Sequence, residues 1–191
     1  MSMVRKIEVQ SGGMLLLSVM VFFLDADMLA ALLGNVLIHE WGHIRMLKRY
    51  GVYIRRIEIG FTGACIVCNT EYLPVFSVFA GVAAGPFLGL VIAGLCSFFG
   101  NLFACDFLLL FAGVGIVLSL FNLLPVFPLD GGRMLKLVAP KLVRPIGYFC
   151  AFIILAVGLY IMACGFGTAL ACLGVFLLVQ EENVSVDRGV C

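Results

Sequence analysis

Residues 28–43, Met-Leu-Ala-Ala-Leu-Leu-Gly-Asn-Val-Leu-Ile-His-Glu-Trp-Gly-His, decide how this chain is read. An apolar run, 28–38, leads directly into His39-Glu40-Trp41-Gly42-His43, which contains both histidines of the chain. On a helix, positions i and i+4 lie on one face, so the two imidazoles stand one turn apart, where they can share a metal ion. HExxH is a zinc-ligand spacing, and the glutamate between the histidines is placed to take a proton from a metal-bound water. The plainer alternative is a pair of helix-surface histidines in a polar patch.

Composition speaks against the plainer alternative. The hydrophobic fraction is 63% and the charged fraction only 12%, with a mean hydropathy of +1.18. Soluble domains are about half apolar and a quarter charged, so this chain belongs in a bilayer. Ionisable groups at the end of an apolar membrane helix are expensive and read first as functional. With 191 residues the chain allows one compact domain, taken as 1–191. A net charge of +1 gives no reason to expect nucleic acid as a partner.

Splitting the apolar runs at charged and Gly/Pro-rich breaks gives about six spans, near 10–24, 28–47, 75–99, 107–124, 144–164 and 167–180. The first and last are short for a hydrocarbon layer of about 30 Å. The first ends at Asp25 and Asp27 rather than at a small-residue cleavage site, unlike a removed signal peptide. Under six spans every lysine and arginine falls on one side: Arg5 and Lys6, the stretch from Arg45 to Arg56, the stretch from Arg133 to Arg144, and Arg188. Asp25, Asp27 and Asp106 fall on the other. The positive-inside bias then places both termini, the tail 181–191 and the HEWGH end of the second span on the cytoplasmic side.

A catalytic zinc site needs a third protein ligand and one open position. The fourth span runs into Asn122-Leu123-Leu124-Pro125-Val126-Phe127-Pro128-Leu129-Asp130-Gly131-Gly132. Two prolines remove backbone donors there, and irregular backbone at membrane depth is tolerated only inside protein or beside a wet cavity. By the span count this segment reaches the same face as His43, which makes Asp130 the candidate third ligand. Asp-Gly-Gly is also an ordinary turn sequence.

HExGH, then Ala84-Gly85-Pro86 in the following span, then NLLPxxPLDGG occur here in the order found in the site-2 proteases, a family of intramembrane zinc metalloproteases that this chain closely resembles over about residues 10–182. Within it the wording is most similar to the stage IV sporulation branch, which processes a sigma-factor precursor. The resemblance implies a zinc ion (Zn2+) held by His39, His43 and Asp130, with Glu40 as general base. It also implies that Asn122 contacts the substrate backbone, although Asn122 could equally bond a neighbouring helix. Members of that branch continue into a nucleotide-sensing domain, whereas this chain stops about ten residues past the sixth span. Regulation through such a module is therefore not expected, and a truncated sequence would look the same.

Residues 53–70 alternate in part and read as a small β-hairpin after the second span, where the resembled family has a membrane-associated hairpin. Its edge would suit strand addition by an unwound substrate. The eight cysteines form no metal pattern: Cys65 and Cys68 make a single CxxC with no second pair. Glycines at 81, 85 and 89 are spaced for close helix packing.

The expected molecule is an all-α polytopic membrane protein with about six transmembrane helices and a small β-hairpin after the second. It sits in a bacterial cytoplasmic membrane as an intramembrane zinc metalloendopeptidase, cutting a membrane-embedded or membrane-tethered protein near the cytoplasmic face. The alternatives are a membrane metal transporter or sensor, whose exit path would need polar residues that the later spans lack, and a catalytically silent substrate-binding relative.

Overall fold

The computed structural model describes residues 7–9, 21–52, 54–60, 63–68 and 73–183. In chain order the elements are β1 (Ile7–Val9), α1 (Ala26–Arg49), β2 (Ile54–Gly60), β3 (Gly63–Cys68), α2 (Val75–Phe103), α3 (Asp106–Asn122), α4 (Asp130–Val138), a 3-10 turn (Pro140–Leu142), α5 (Val143–Ala163) and α6 (Ala169–Asn183). The chain divides into two compact units, 1–120 with 190–191, and 121–189.

In the first unit β1, β2 and β3 form a sheet in that order. β2 and β3 pair antiparallel, with Ile57 opposite Ile66, and β1 pairs parallel with β2, with Ile7 opposite Ile57. Parallel neighbours need a crossover connection, and α1 supplies it. The small β-hairpin expected at 53–70 is therefore corrected to a three-stranded sheet, in which β1 adds a parallel strand to the antiparallel pair; residues 53, 61–62 and 69–70 lie outside the described residues. The three residues of β1 are too short a run to announce a strand in the sequence.

α1 ends at Gly51, whose φ of 74° is left-handed. The Gly51 N–H donates to the Lys48 carbonyl at 3.0 Å and the Val52 N–H to the Leu47 carbonyl at 3.1 Å. That bond pair is a Schellman ending, sealed by contact between Leu47 and Val52. α1 then runs antiparallel to α2 through small residues: a Cβ on Gly81 would meet Leu47 Cδ2 at 2.7 Å, and one on Gly42 would meet the Ala84 carbonyl at 2.7 Å. α2 and α3 pack the same way. Gly100 lies against Leu109 and Gly89 against Ser119.

The second unit holds the irregular segment before α4, then α5 and α6 packed antiparallel. Gly158 lies against the backbone of Ala171, and Gly174 against Leu155. Its core is Val126, Ala151 and Leu177, with Leu124, Leu129 and Ile154 around them.

The expectation of about six spans is not met. Among the described residues two helices are long and apolar enough to cross a bilayer, Val75–Phe103 and Pro140–Ala163. Only 33% and 17% of their apolar windows are buried inside the protein, far less than in the core helix of a soluble domain. Phe87, Phe98, Phe103, Phe149 and Phe152 all point outward, which suits lipid rather than water. The 29 residues of α2 reach about 44 Å, ample for a layer of about 30 Å. The other expected spans fall short for separate reasons. α1 carries Asn35, His39, Glu40, His43 and Arg45 within the expected span 28–47. α3 is apolar but has 17 residues, and α6 has 15 and ends in Gln180-Glu181-Glu182. Most of 10–24 and most of the tail 181–191 lie outside the described residues.

Replacing Gly51 by alanine should lower stability by about 1–2 kcal/mol, the strain of a Cβ in the left-handed region. Chemical denaturation of the detergent-purified chain, read by helix content, checks this. An unchanged midpoint would mean that α1 does not depend on this ending.

Candidate metal centre

α1 buries one face, made of Ala31, Asn35, His39, Gly42, His43 and Leu47. These positions repeat every three or four residues, so the two histidines are buried because the same stripe packs on α2 and α3. His39 is 5% exposed and His43 7%. Their Nε2 atoms face each other at 3.1 Å, with the rings edge-on at 80°.

The second nitrogen of His43 explains the direction of the first. Nδ1 lies 2.9 Å from the Gly81 carbonyl oxygen. A carbonyl only accepts, so Nδ1 carries the proton and Nε2 presents a lone pair. This is the outer-shell bond that fixes the tautomer of metal-binding histidines. Next to it, Gly85 lets α2 approach the imidazole itself: a Cβ there would run into Nε2 and Cε1 of His43. Two ligands on one tetrahedral zinc, at about 2.0–2.1 Å each, stand roughly 3.3 Å apart. The observed nitrogen separation therefore fits a shared ion.

Glu40 is half-buried on the same helix, and Trp41 is 57% exposed, as suits an interfacial side chain. Asn35 stands one turn before His39, 2% exposed. Its Nδ2 donates to the Ala31 carbonyl at 2.9 Å and to the Phe111 carbonyl of α3 at 3.0 Å. Sequence reading did not single it out, although a lone amide inside the run 28–38 was the signal for it.

In the second unit, Asp130 is the first residue of α4 and 5% exposed. A helix N-terminus favours a carboxylate, which offsets part of the cost of burying one. The two glycines after it are required by contact. A Cβ on Gly131 would collide with the Leu123 and Leu124 carbonyls, and one on Gly132 would meet the Val126 carbonyl at 2.7 Å. The Asp-Gly-Gly wording thus lets α4 start tight against the segment before it. Arg133 Nη1 lies 3.7 Å from Asp130 Oδ1. Asn122 is the half-buried last residue of α3. The structure brings His39 and His43 into direct contact within the first unit, while Asp130 and Asn122 belong to the second.

Comparison with known proteins finds relatives named as zinc metalloproteases. The family model "Peptidase family M50" matches residues 100–165. Zinc metalloprotease MJ0392 of Methanocaldococcus jannaschii is 31% identical over 142 residues, covering 67% of this chain and 41% of that protein. Putative zinc metalloprotease sll0528 of Synechocystis is 29% identical, covering 55% of this chain and 29% of that one. Putative zinc metalloprotease Rip3 of Mycobacterium tuberculosis is 28% identical, covering 62% and 32%. This chain spans less than half the length of these curated relatives. The solved site-2 protease from Methanocaldococcus jannaschii is similar over 97% of this chain and 93% of its own, with a TM-score of 0.72 and 25% identity. These likenesses support the site-2 protease (M50) family.

Gly85→Ala should weaken zinc binding by about 10- to 100-fold, the usual effect of disturbing an outer-shell contact of a ligand. Gly94→Ala, whose added Cβ meets nothing within 4 Å, should leave binding unchanged. Competition against a chelator of known affinity reads both. Equal affinities would remove Gly85 from the support of His43.

Proposed function

We propose that this chain is a zinc metalloendopeptidase of the site-2 type, acting on a membrane-embedded or membrane-tethered protein. The observation that carries this reading is the buried His39–His43 pair on an HExxH helix, with His43 oriented by the Gly81 carbonyl. The zinc ligands are His39, His43 and Asp130, which offer two imidazole nitrogens and a carboxylate oxygen, all from buried residues. That is a three-ligand donor set of the kind that leaves one position open for catalysis. The relatives named as zinc metalloproteases support the choice of ion.

Bound zinc would supply a Lewis acid that acidifies a water and polarises the scissile carbonyl. Glu40, next to His39 and half-buried, takes the proton from the attacking water and passes it to the leaving amine. Asn122 holds the substrate backbone through its side-chain amide. Because the histidines are almost fully enclosed, a substrate helix has to present an unwound segment to them.

Residues 1–191 form the protease domain in this reading. It is an integral, multi-pass protein of the cytoplasmic membrane, with both termini cytoplasmic. The arginine and lysine clusters before α2 and α5 support that side. The finer assignment is processing of a sigma-factor precursor, supported by the NLLP…PLDGG wording of the sporulation branch.

Co-expression of the wild type and Glu40→Gln with a sigma-factor precursor, a single-span anti-sigma factor and a signal peptide tests this. The wild type should release a fragment from one substrate class, and Glu40→Gln should bind zinc normally while cleavage falls by at least about 100-fold, the lower end for a lost general base. Cleavage by Glu40→Gln would refute the role of Glu40. Asp130→Ala should lose zinc, and unchanged metal content would remove Asp130 from the ligand set.

A further inference from the structure

Glu181 of α6 is an acid where an apolar membrane chain has every reason to place a leucine. Its side chain is completely buried, at 0% exposure. It is not part of the donor set described above, and nothing in the proposed chemistry uses it. Two independent features show that the fold is arranged around it. Gly147 of α5 lies directly opposite, and a Cβ there would collide with the Glu181 carboxyl group, so α5 provides the space. The Phe127 N–H donates to Glu181 Oε1 at 2.6 Å.

Phe127 sits in the middle of the irregular segment that leads to Asp130. Within it Pro125 and Pro128 have no N–H. Leu124, Val126 and Leu129 donate to carbonyls of the same stretch: Phe121, Leu124 and Val126. The Phe127 N–H instead donates to a side chain of α6, distant in the chain. The other carboxyl oxygen, Oε2, has no hydrogen-bond partner among the described residues. The acid therefore does one thing here, which is to accept that bond. Lys136 of α4 lies over the Phe127 ring, with Nζ 5.5 Å from the centroid.

We propose that Glu181 is a positioning residue for the metal centre, its buried carboxyl fixing the Phe127 amide and through it the short segment that delivers Asp130. Only Pro128 and Leu129 lie between Phe127 and Asp130, and Asp130 is the first residue of α4, so a shift at Phe127 is passed to the ligand with little slack. This inference rests on the assignment of Asp130 as a zinc ligand. Burial raises the carboxyl pKa, against the lowering effects of the Phe127 N–H and the nearby Arg144 charge. A glutamine presents the same acceptor oxygen to the Phe127 N–H, which makes Glu181→Gln the conservative replacement.

The test is zinc affinity of the full chain in detergent, measured by chelator competition for the wild type, Glu181→Leu, Glu181→Gln and Asp130→Ala. Glu181→Leu should bind zinc about 10- to 100-fold more weakly and Glu181→Gln within about threefold of wild type. Asp130→Ala should lose the ion. Wild-type affinity in Glu181→Leu, with zinc lost from Asp130→Ala, would overturn the role of Glu181 and leave that of Asp130 standing. Wild-type affinity in Asp130→Ala would overturn the ligand assignment itself. Weak binding by both Glu181 variants would overturn the acceptor argument. If Glu181→Leu does not fold, amide exchange at Phe127 in the wild type and Glu181→Gln decides: protection in both is expected, and rapid exchange in the wild type overturns the proposal.

Discussion

The contact between the His43 imidazole and the 81–85 stretch of α2 is the constraint on which the metal centre depends. One carbonyl, that of Gly81, settles which nitrogen of His43 carries the proton. One missing side chain, at Gly85, lets the helix come close enough for that bond to form. The two requirements are coupled, because a helix with side chains at 81 and 85 would stand off and leave Nδ1 without the carbonyl. Close packing through small residues is general in apolar helices, where no water drives association. Here the same packing also sets a tautomer.

The second unit solves a comparable problem by other means. Asp130 has to be buried and held in place on a stretch that two prolines keep from being helical. Gly131 and Gly132 allow α4 to begin against the Leu123, Leu124 and Val126 carbonyls, and the first turn of α4 favours the negative charge. The core of Val126, Ala151 and Leu177 anchors the preceding residues to α5 and α6. A flexible loop could present a carboxylate too, but with more freedom to lose on binding an ion.

The site was far more legible in the sequence than the span count. HExxH needs only helical periodicity to put His39 and His43 together, and Asp130 followed from the need for a third ligand beside a broken helix. The spans were misjudged because every apolar run was counted as a crossing, including those called short, whereas two helices among the described residues are long and apolar enough. Glycines with positive φ at 165 and 167 delay the start of α6, and the polar stripe of α1 makes it a site-bearing helix rather than a plain membrane span. β1 was illegible because three residues paired across the whole of α1 leave no local pattern. Glu181 was passed over as part of a charged tail, since Gln180-Glu181-Glu182 reads as solvated, and its burial is set by Gly147 and Phe127, distant in the chain.

Buried polar groups are few in so apolar a protein, and their placement is informative for that reason. Asn35, His39, His43, Ser119, Asp130 and Glu181 account for most of them among the described residues. Four of them, Asn35, His43, Ser119 and Glu181, lie where a glycine on a neighbouring helix leaves room. Ser119 sits where Gly89 leaves room, Asn35 lies against Gly115, and Glu181 lies against Gly147. In hydrocarbon an unmet polar group costs several kcal/mol, so such pairs of a glycine with a polar side chain are costly to place by chance. The glycines of this chain thus do two jobs that sequence periodicity cannot separate. Some only bring helices together, and others make room for the polar groups from which the site and its supports are built.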